Sequence, residues 1–122
     1  MKISFDHDGT LTNEIIKQFA LSLTTIHDVY ILTSRMNDNL AEVFRTAKEL
    51  NISTDNIITT DLHDKGEYIK AHNIKIDIHF DNYRGDVESI NEKTDTIGVL
   101  IGLTGGMNKI INRQRTAGRC KR

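Results

Sequence analysis

Two aspartates and a glycine follow a short strand-like segment near the amino terminus, in the run Asp6-His7-Asp8-Gly9-Thr10. Side chains two apart in extended backbone point the same way, so both carboxylates can face one reacting centre. One can stay ionised as a nucleophile or metal ligand, while the other, its pKa raised by its neighbour, carries a proton. Gly9 permits a tight turn that brings N–H groups close to a phosphate. Thr10 can fasten that turn by hydrogen bonding to the first carboxylate.

Segments of strand length alternate with segments of helical period along the chain. We predict strands at 2–6, 28–33, 56–60, 76–80 and 96–101, and helices at about 13–23, 37–50, 65–72 and 86–92. The helix at 37–50 is the clearest, because apolar residues including Phe44 share one face and Asn37 is a suitable N-cap. Ile15 belongs to a similar stripe in the helix at 13–23.

Five short apolar strands separated by helices indicate a parallel sheet covered on both faces, which is an α/β, three-layer, Rossmann-like sandwich. We expect strand order 3-2-1-4-5, one domain over residues 1–104 and a basic tail at 105–122. Right-handed crossovers place the carboxyl ends of the strands along one edge, where ligands bind. Asp6, Thr33, Thr60 and Asp81 each end or follow a strand, so we expect them to converge.

The opening run, taken as Asp6-x-Asp8-Gly9-Thr10-Leu11, resembles the first motif of the haloacid dehalogenase-like (HAD) superfamily, whose commonest members are phosphatases. The resemblance implies a phosphomonoester hydrolase in which Asp6 is the nucleophile and forms an aspartyl-phosphate. It implies that Asp8 is the general acid and base, and that Gly9 and Thr10 contact the substrate. Three further family motifs have matches, in the family's order, before the end of the fifth strand.

The second and third family motifs are matched by Thr33-Ser34-Arg35 and by Lys65. The resemblance implies that the Thr33 hydroxyl bonds a phosphoryl oxygen, and that Ser34 and Arg35 bind the substrate, Arg35 as a bidentate clamp. Lys65 would stabilise the negative charge of the nucleophile and of the incoming phosphate. Lys70 is the competing candidate, but it lies further into the predicted helix.

The fourth motif is an acid at the end of the fourth strand, and Asp81 supplies it. The resemblance implies Mg²⁺ held by the carboxylates of Asp6 and Asp81 and the main-chain carbonyl of Asp8. Family members often carry a second acid nearby. Here Asn82 takes the adjacent position and Asp86 lies five residues beyond, so either one could hold a metal-bound water or support the ligands. Zinc is not expected, because no two of the five histidines are four residues apart.

The intervals between the motifs leave no room for the cap domain that HAD enzymes often insert. Asp6 to Thr33 spans 27 residues and Thr33 to Lys65 spans 32, and predicted helices and strands consume both. An uncapped site is covered either by a large substrate or by a neighbouring subunit, so we expect a nucleotide or nucleic-acid phosphate end, or an oligomer. The missing cap and the run at 33–35 are also similar to the phosphatase half of phage polynucleotide kinase/phosphatases.

Charge is distributed unevenly along the chain. Residues 1–95 carry 10 Lys and Arg and 17 Asp and Glu, a net of −7, whereas residues 96–122 carry 6 and none, a net of +6. The basic segment suits phosphate-rich partners or is a solvated terminus. No apolar run approaches the roughly 18 residues of a membrane span, and Cys120 is the single cysteine. We therefore expect a cytoplasmic protein without membrane contact.

Two other classes of protein remain open. A phosphoacceptor signalling domain also places acids, a Thr or Ser and a Lys at strand ends, but it lacks the second acid that Asp8 supplies. A non-catalytic HAD relative would bind nucleic acid through the basic tail, in a salt-dependent manner and without releasing phosphate.

Overall fold

The computed structural model describes residues 1–102, in which strands and helices alternate. In chain order these are β1 Lys2–Phe5, α1 Glu14–Leu23, β2 Asp28–Thr33, α2 Ala41–Glu49, β3 Ile57–Thr59, α3 Lys65–Ala71, β4 Ile78–Asp81, α4 Arg84–Lys93 and β5 Ile97–Leu100. Neighbouring strands pair in parallel in the order β3-β2-β1-β4-β5. The predicted fold class and strand order are confirmed. The predicted tail at 105–122 lies outside the described residues.

Helices α1 and α2 cover one face of the sheet and α3 and α4 cover the other, with a separate apolar core beneath each pair of helices. Beneath α1 and α2, Ile31 of the sheet belongs to the same core as Val43. Beneath α3 and α4, Leu32 packs with Ile69 and Ile90. Ile31 and Leu32 serve opposite faces because successive side chains alternate along a strand. The molecule therefore has three layers.

The connections that follow the strands at their carboxyl ends are short. The longest, residues 6–13, has eight residues, and every connection between strands holds one α-helix. Residues 1–102 therefore contain no inserted cap domain. Across the same residues, none of the helices combines the length and the apolar character needed to cross a bilayer.

Helix α2 begins at Ala41, and the prediction that it begins near Asn37 with that residue as N-cap is wrong. The N–H of Asn39 donates to the carbonyl of Met36 (3.0 Å), and the N–H of Asn37 donates to the side chain of Asp61 (3.2 Å). These contacts hold residues 36–39 in a turn. A tertiary contact with the loop after β3 thus replaces the helical turn that periodicity predicts.

The apolar stripes of α1 and α2 are only partly buried. Ile15 is 75% exposed and Phe44 is 45% exposed, whereas Ala20, Val43 and Ala47 are buried. A stripe of helical period is wider than the contact that one helix makes with a sheet, so its flanking residues stay in solvent. Apart from α2, the predicted strand and helix ends agree with the structure to within two residues.

Candidate active site

Three charged side chains that are distant in sequence meet at the carboxyl edge of the sheet. Lys65 Nζ lies 2.7 Å from Asp6 Oδ1 and 2.7 Å from Asp81 Oδ2. All three residues are buried, with exposures of 1% for Lys65, 6% for Asp6 and 0% for Asp81. Lys70, the competing candidate, is exposed. One ammonium therefore bridges the carboxylate that follows β1 and the carboxylate that ends β4. We call these three residues the Lys65 cluster.

The loop after β1 is shaped so that Asp6 faces this ammonium. The N–H of Asp6 donates to the carbonyl of Phe80 (2.9 Å), which extends the sheet by one residue. The Thr10 hydroxyl donates to Asp6 Oδ2 (3.3 Å), so the hydrogen bond predicted for it is present. Gly9 has a φ of +82°, and a Cβ there would lie 2.1 Å from Nδ2 of Asn82. The loop requires glycine both for this backbone angle and for the approach of Asn82.

Helix α3 is capped and packed in a way that brings its first residue over the sheet. Asp64 accepts the N–H of Glu67 (2.9 Å) and so starts the helix at Lys65. Gly66 lies against α4, where an added Cβ would come within 2.3 Å of Ser89 Oγ and 2.6 Å of the Ser89 main chain. Because Gly66 has no side chain, α3 and α4 approach closely.

The environment gives the two carboxyl groups of the cluster different pKa values. Burial raises the pKa of Asp6 from 3.8 to about 6, although the charge of Lys65 acts against this. Burial also disfavours ionised Asp81, but a hydrogen bond from His79 and the charge of Lys65 outweigh it and hold the pKa of Asp81 below 3.8. Burial disfavours the Lys65 ammonium, yet the charges of Asp6 and Asp81 keep its pKa above 10.5. Asp6 is therefore the more basic carboxylate.

The carboxylate of Asp81 already has three hydrogen-bond donors. Its Oδ2 accepts from Lys65 and from Nε2 of His79 (2.8 Å), and its Oδ1 accepts from the N–H of Tyr83 (3.0 Å). Burial lowers the pKa of His79, so its ring is neutral, and Nε2 carries the proton that faces Asp81. Nδ1 then accepts from the Ser4 hydroxyl (2.7 Å). Asp81 is engaged in holding Lys65.

Asn82 lies beside the other oxygen of the candidate nucleophile. One terminal atom of its carboxamide is 3.1 Å from Asp6 Oδ2 and 3.2 Å from the main-chain oxygen of Asp8. With nitrogen in that position the amide donates two hydrogen bonds; with oxygen there, the amide oxygen lies 3.1 Å from one of these oxygens and 3.2 Å from the other. Adjacent oxygens in an octahedron with Mg–O bonds of about 2.0–2.1 Å are separated by about 3 Å. The two separations from Asn82 therefore suit neighbouring Mg²⁺ ligands.

The candidate Mg²⁺ donor set contains a single acidic side chain and no His or Cys. Among residues 1–102, no three His, Cys, Asp or Glu side chains are grouped so that they could hold a metal ion. The candidate Mg²⁺ ligands are one carboxylate, one amide and one carbonyl oxygen. Asp86, the alternative to Asn82, approaches Lys65 instead, with Oδ2 3.9 Å from Nζ, and burial raises the pKa of Asp86.

Arg35 binds the second aspartate of the opening run. Its Nε and Nη2 donate to the two carboxylate oxygens of Asp8 (2.9 and 2.8 Å), Nη2 also donates to Glu42 (2.7 Å), and Nη1 donates to the carbonyl of Asn39 (3.2 Å). The hydrogen bonds from Arg35 lower the pKa of Asp8, and those to Asp8 raise the pKa of Arg35. In this arrangement Asp8 is ionised and Arg35 is occupied.

Thr33 and Ser34 tie the loop after β2 to the loop after β3. Thr33 is buried, its Oγ1 accepts the N–H of Arg35 (3.2 Å), and its carbonyl accepts the N–H of Thr60 (2.9 Å). The carbonyl of Ser34 accepts the N–H of Leu62 (2.8 Å). A hydroxyl that accepts can still donate its own proton. Within residues 1–102, however, no hydrogen bond links Thr33 or Ser34 to the Lys65 cluster.

Sequence reasoning missed three residues of this network. Nothing in the sequence distinguishes Glu42 from other exposed acidic residues of a helix. Ser4 and His79 were detectable, because both are polar residues in the middle of otherwise apolar central strands. His7 is buried as well, with Nε2 2.9 Å from Thr46 Oγ1, and it anchors the loop after β1 to helix α2.

The Lys65 cluster lies apart from two cavities of the molecule. A cavity of about 900 Å³ opens at the amino edge of the sheet, beside Lys2, Asp28 and Asp77. A second cavity, of about 660 Å³, lies between β3 and α3, beside Ile58 and Tyr68. Neither is lined by residues of the cluster, so neither assigns a substrate to it.

Comparison with known proteins adds no relative: no family model, curated protein or solved structure matches the chain.

Proposed function

We propose that this chain is a Mg²⁺-dependent phosphohydrolase of the HAD type in which Asp6 is the nucleophile. The observation that supports this most directly is the buried contact of Lys65 with both Asp6 and Asp81. An ammonium in this position orients the nucleophile and offsets the charge of an incoming phosphate. With a pKa of about 6, Asp6 is ionised at neutral pH.

The mechanism follows from the two sides of the Asp6 carboxylate. Oδ2 lies near the side chain of Asn82, which also approaches the carbonyl of Asp8, and Oδ1 accepts a hydrogen bond from Lys65. Oδ1 attacks phosphorus in line and forms the P–O bond of an aspartyl-phosphate while the bond to the leaving oxygen breaks. Asp8 protonates that oxygen and then takes a proton from the water that attacks phosphorus. This second attack releases inorganic phosphate and regenerates Asp6.

Mg²⁺ would be held by Asp6 Oδ2, the main-chain oxygen of Asp8 and the amide oxygen of Asn82. When bound, it supplies Lewis-acid stabilisation of the phosphoryl oxygens. The sequence assigned Asp81 to the metal, whereas the geometry favours Asn82, because the hydrogen bonds of Asp81 engage it with Lys65 and His79. The ligand set proposed here differs from the predicted one on this point.

Asn82 and Asp86 can be distinguished by their effect on Mg²⁺ binding. We expect Asn82→Ala to raise the Mg²⁺ concentration for half-maximal activity by about tenfold or more, because it removes a ligand. Asp86→Asn should change it less than about threefold. The rise of the unfolding temperature with added Mg²⁺ gives the same comparison without any turnover. A larger effect at Asp86 than at Asn82 would reverse the assignment.

Asp8 must leave Arg35 before it can donate a proton. A guanidinium binds phosphate as well as carboxylate in a bidentate manner, so a phosphate group of the substrate that takes Arg35 frees Asp8. The Arg35–Asp8 contact also favours a second candidate function, a phosphoacceptor domain. If Arg35 stays on Asp8, the aspartyl-phosphate forms but is hydrolysed slowly.

We infer a nucleotide or a nucleic-acid phosphate end as the substrate class. Within residues 1–102 the connections at the carboxyl edge are short and supply no cap over the site, which suits a substrate larger than a free sugar phosphate. The net charge of +6 over residues 96–122 favours polyanionic partners.

A phosphate-release assay tests both the activity and the class of substrate. We expect Mg²⁺-dependent release from 3′- or 5′-phosphorylated oligonucleotides or from nucleotides at least about a hundredfold faster than from sugar phosphates, a difference of roughly 2.7 kcal/mol. A phosphoenzyme that persists for minutes would favour the signalling domain. Salt-dependent oligonucleotide binding without release of phosphate from any substrate would contradict the hydrolase and favour a binding module.

A further inference from the structure

A continuous chain of hydrogen bonds runs through the centre of the sheet and ends at Asp6. It starts at the Ser4 hydroxyl, passes through the two ring nitrogens of His79 (2.7 and 2.8 Å), and reaches Asp81 Oδ2. Lys65 Nζ donates to this oxygen (2.7 Å) and also to Asp6 Oδ1 (2.7 Å). The exposures of the five residues are between 0% and 6%. The chain is therefore shielded from water along its whole length.

The register of the sheet explains why this chain exists. Ser4 of β1 is the direct partner of His79 of β4. Side chains alternate along a strand, so Asp6 follows Ser4 on one face, just as Asp81 follows His79. Polar residues in the middle of central parallel strands are costly unless their hydrogen bonds are satisfied. Here each polar atom of the pair has a partner, and the series of partners ends at the candidate nucleophile.

Each bond in this chain has a fixed direction. Asp81 can only accept, so Nε2 of His79 carries a proton, and Nδ1 accepts the proton of Ser4. The imidazole thereby fixes the rotation of the Asp81 carboxylate, whose Oδ2 also accepts from Lys65. If His79 were absent, Asp81 would retain the main-chain N–H of Tyr83 as the donor to Oδ1, and Oδ2 would be held by Lys65 alone.

We propose that His79 is a positioning residue of this site, which acts through Asp81 to hold the Lys65 ammonium against the attacking oxygen of Asp6. The inference rests on the proposed function, because only a nucleophilic Asp6 needs this alignment. His79 touches no reacting atom, and its effect appears in the rate of the chemical step rather than in substrate binding.

Two substitutions of His79 distinguish its hydrogen bond with Asp81 from its hydrogen bond with Ser4. In His79→Gln the side-chain amide reaches the position of Nε2 and can still donate to Asp81. In His79→Asn the amide reaches only the position of Nδ1, so the contact with Ser4 can persist while Asp81 loses its donor. We expect kcat of the Gln variant to stay within about threefold of wild type. We expect kcat of the Asn variant to fall by about tenfold or more, with KM changed less than about twofold.

Rates are measured per folded molecule, at a temperature well below the unfolding midpoint of both variants. A purely structural role would lower the two midpoints and leave both kcat values alike, and that result would overturn the proposal. An Asn variant with the higher kcat of the two would overturn it as well. Wild-type protein without any phosphate release would instead contradict the proposed function.

A measurement without substrate tests the positioning role whether or not the wild-type protein releases phosphate. In ¹⁵N NMR of the wild-type protein, we expect His79 as the neutral form protonated at Nε2, and a Lys65 ammonium protected from exchange with water. The ammonium signal should persist in His79→Gln and broaden or vanish in His79→Asn. A His79 ring protonated at Nδ1 alone, or equal Lys65 signals in the two variants, would overturn the proposal.

Discussion

Replacing Asp6 with Asn should abolish phosphate release and stabilise the folded protein. We expect turnover to fall by about a thousandfold or more, because the amide cannot form the aspartyl-phosphate. The free energy of unfolding at pH 7 without divalent ions should rise by about 1–3 kcal/mol. The gain arises because burial raises the pKa of Asp6 to about 6, so its ionised form disfavours folding. The Lys65 ammonium keeps the carboxylate of Asp81 as its partner in this variant, so no buried charge is left unpaired.

The pH dependence gives this prediction a definite sign. Between pH 3.8, the ordinary pKa of Asp6, and about 6, its pKa in the folded protein, the folded state binds more protons than the unfolded state. The contribution of Asp6 is therefore fully favourable below pH 3.8 and is lost as the pH rises through about 6. Asp6→Asn and wild type should differ little near pH 4, and the variant should be the more stable one above pH 6.

Urea unfolding between pH 4 and 8, with divalent ions removed, measures this difference. The matched control is Asp95→Asn, since Asp95 is exposed in the turn before β5 and its substitution should change stability by less than about 0.5 kcal/mol. Near-normal turnover in Asp6→Asn would remove Asp6 from the role of nucleophile. A variant less stable than wild type at pH 7 would contradict the account of its charge.

Replacing Lys65 with Met should have the opposite effect on stability. Met preserves most of the buried volume but leaves the carboxylates of Asp6 and Asp81 without their shared cation. Removing one partner of a buried ion pair costs about 3–5 kcal/mol, and we expect a loss of that size together with loss of turnover. The matched control is Lys70→Met in the same helix, because Lys70 is exposed and should be nearly neutral.

A double variant keeps this prediction testable if Lys65→Met folds poorly. Adding Asp6→Asn removes one of the two uncompensated charges, so the double variant should regain a large part of the lost stability, which urea unfolding would measure. Inactivity should persist. If Lys65→Met alone lost less than about 1 kcal/mol, or if Asp6→Asn gave no recovery, the electrostatic role of the shared ammonium would be contradicted.

The sequence predicted the fold because its signals are local and mutually consistent. Short apolar strands between helices indicate a covered parallel sheet, and the polar residues that end them indicate its binding edge. The convergence of Asp6 and Asp81 follows from that topology, whereas Lys65 was predicted from the family resemblance. The hydrogen bonds of Lys65 to both acids are present. The start of α2 could not be predicted, because the N–H of Asn37 is taken by Asp61, 24 residues away.

The finer assignments within the site depend on side-chain orientation, which spacing does not encode. Asp81 and Asn82 are adjacent, yet one binds Lys65 and the other approaches Asp6 Oδ2. Successive side chains diverge at the end of a strand, so the type of residue alone favoured the acid as the metal ligand. The contact of Arg35 with Asp8 joins two loops and leaves no periodic signal in the sequence.

The close packing of helices α3 and α4 at Gly66 determines the position of Lys65. Helices α3 and α4 meet there with no room for even a methyl group beside Ser89, and the next residue toward the amino terminus is the lysine that reaches both acids. The spacing of these two helices therefore sets how far the ammonium extends over the sheet. Substitutions that widened this spacing would move the Lys65 ammonium away from Asp6 and Asp81 even if every charged residue were retained.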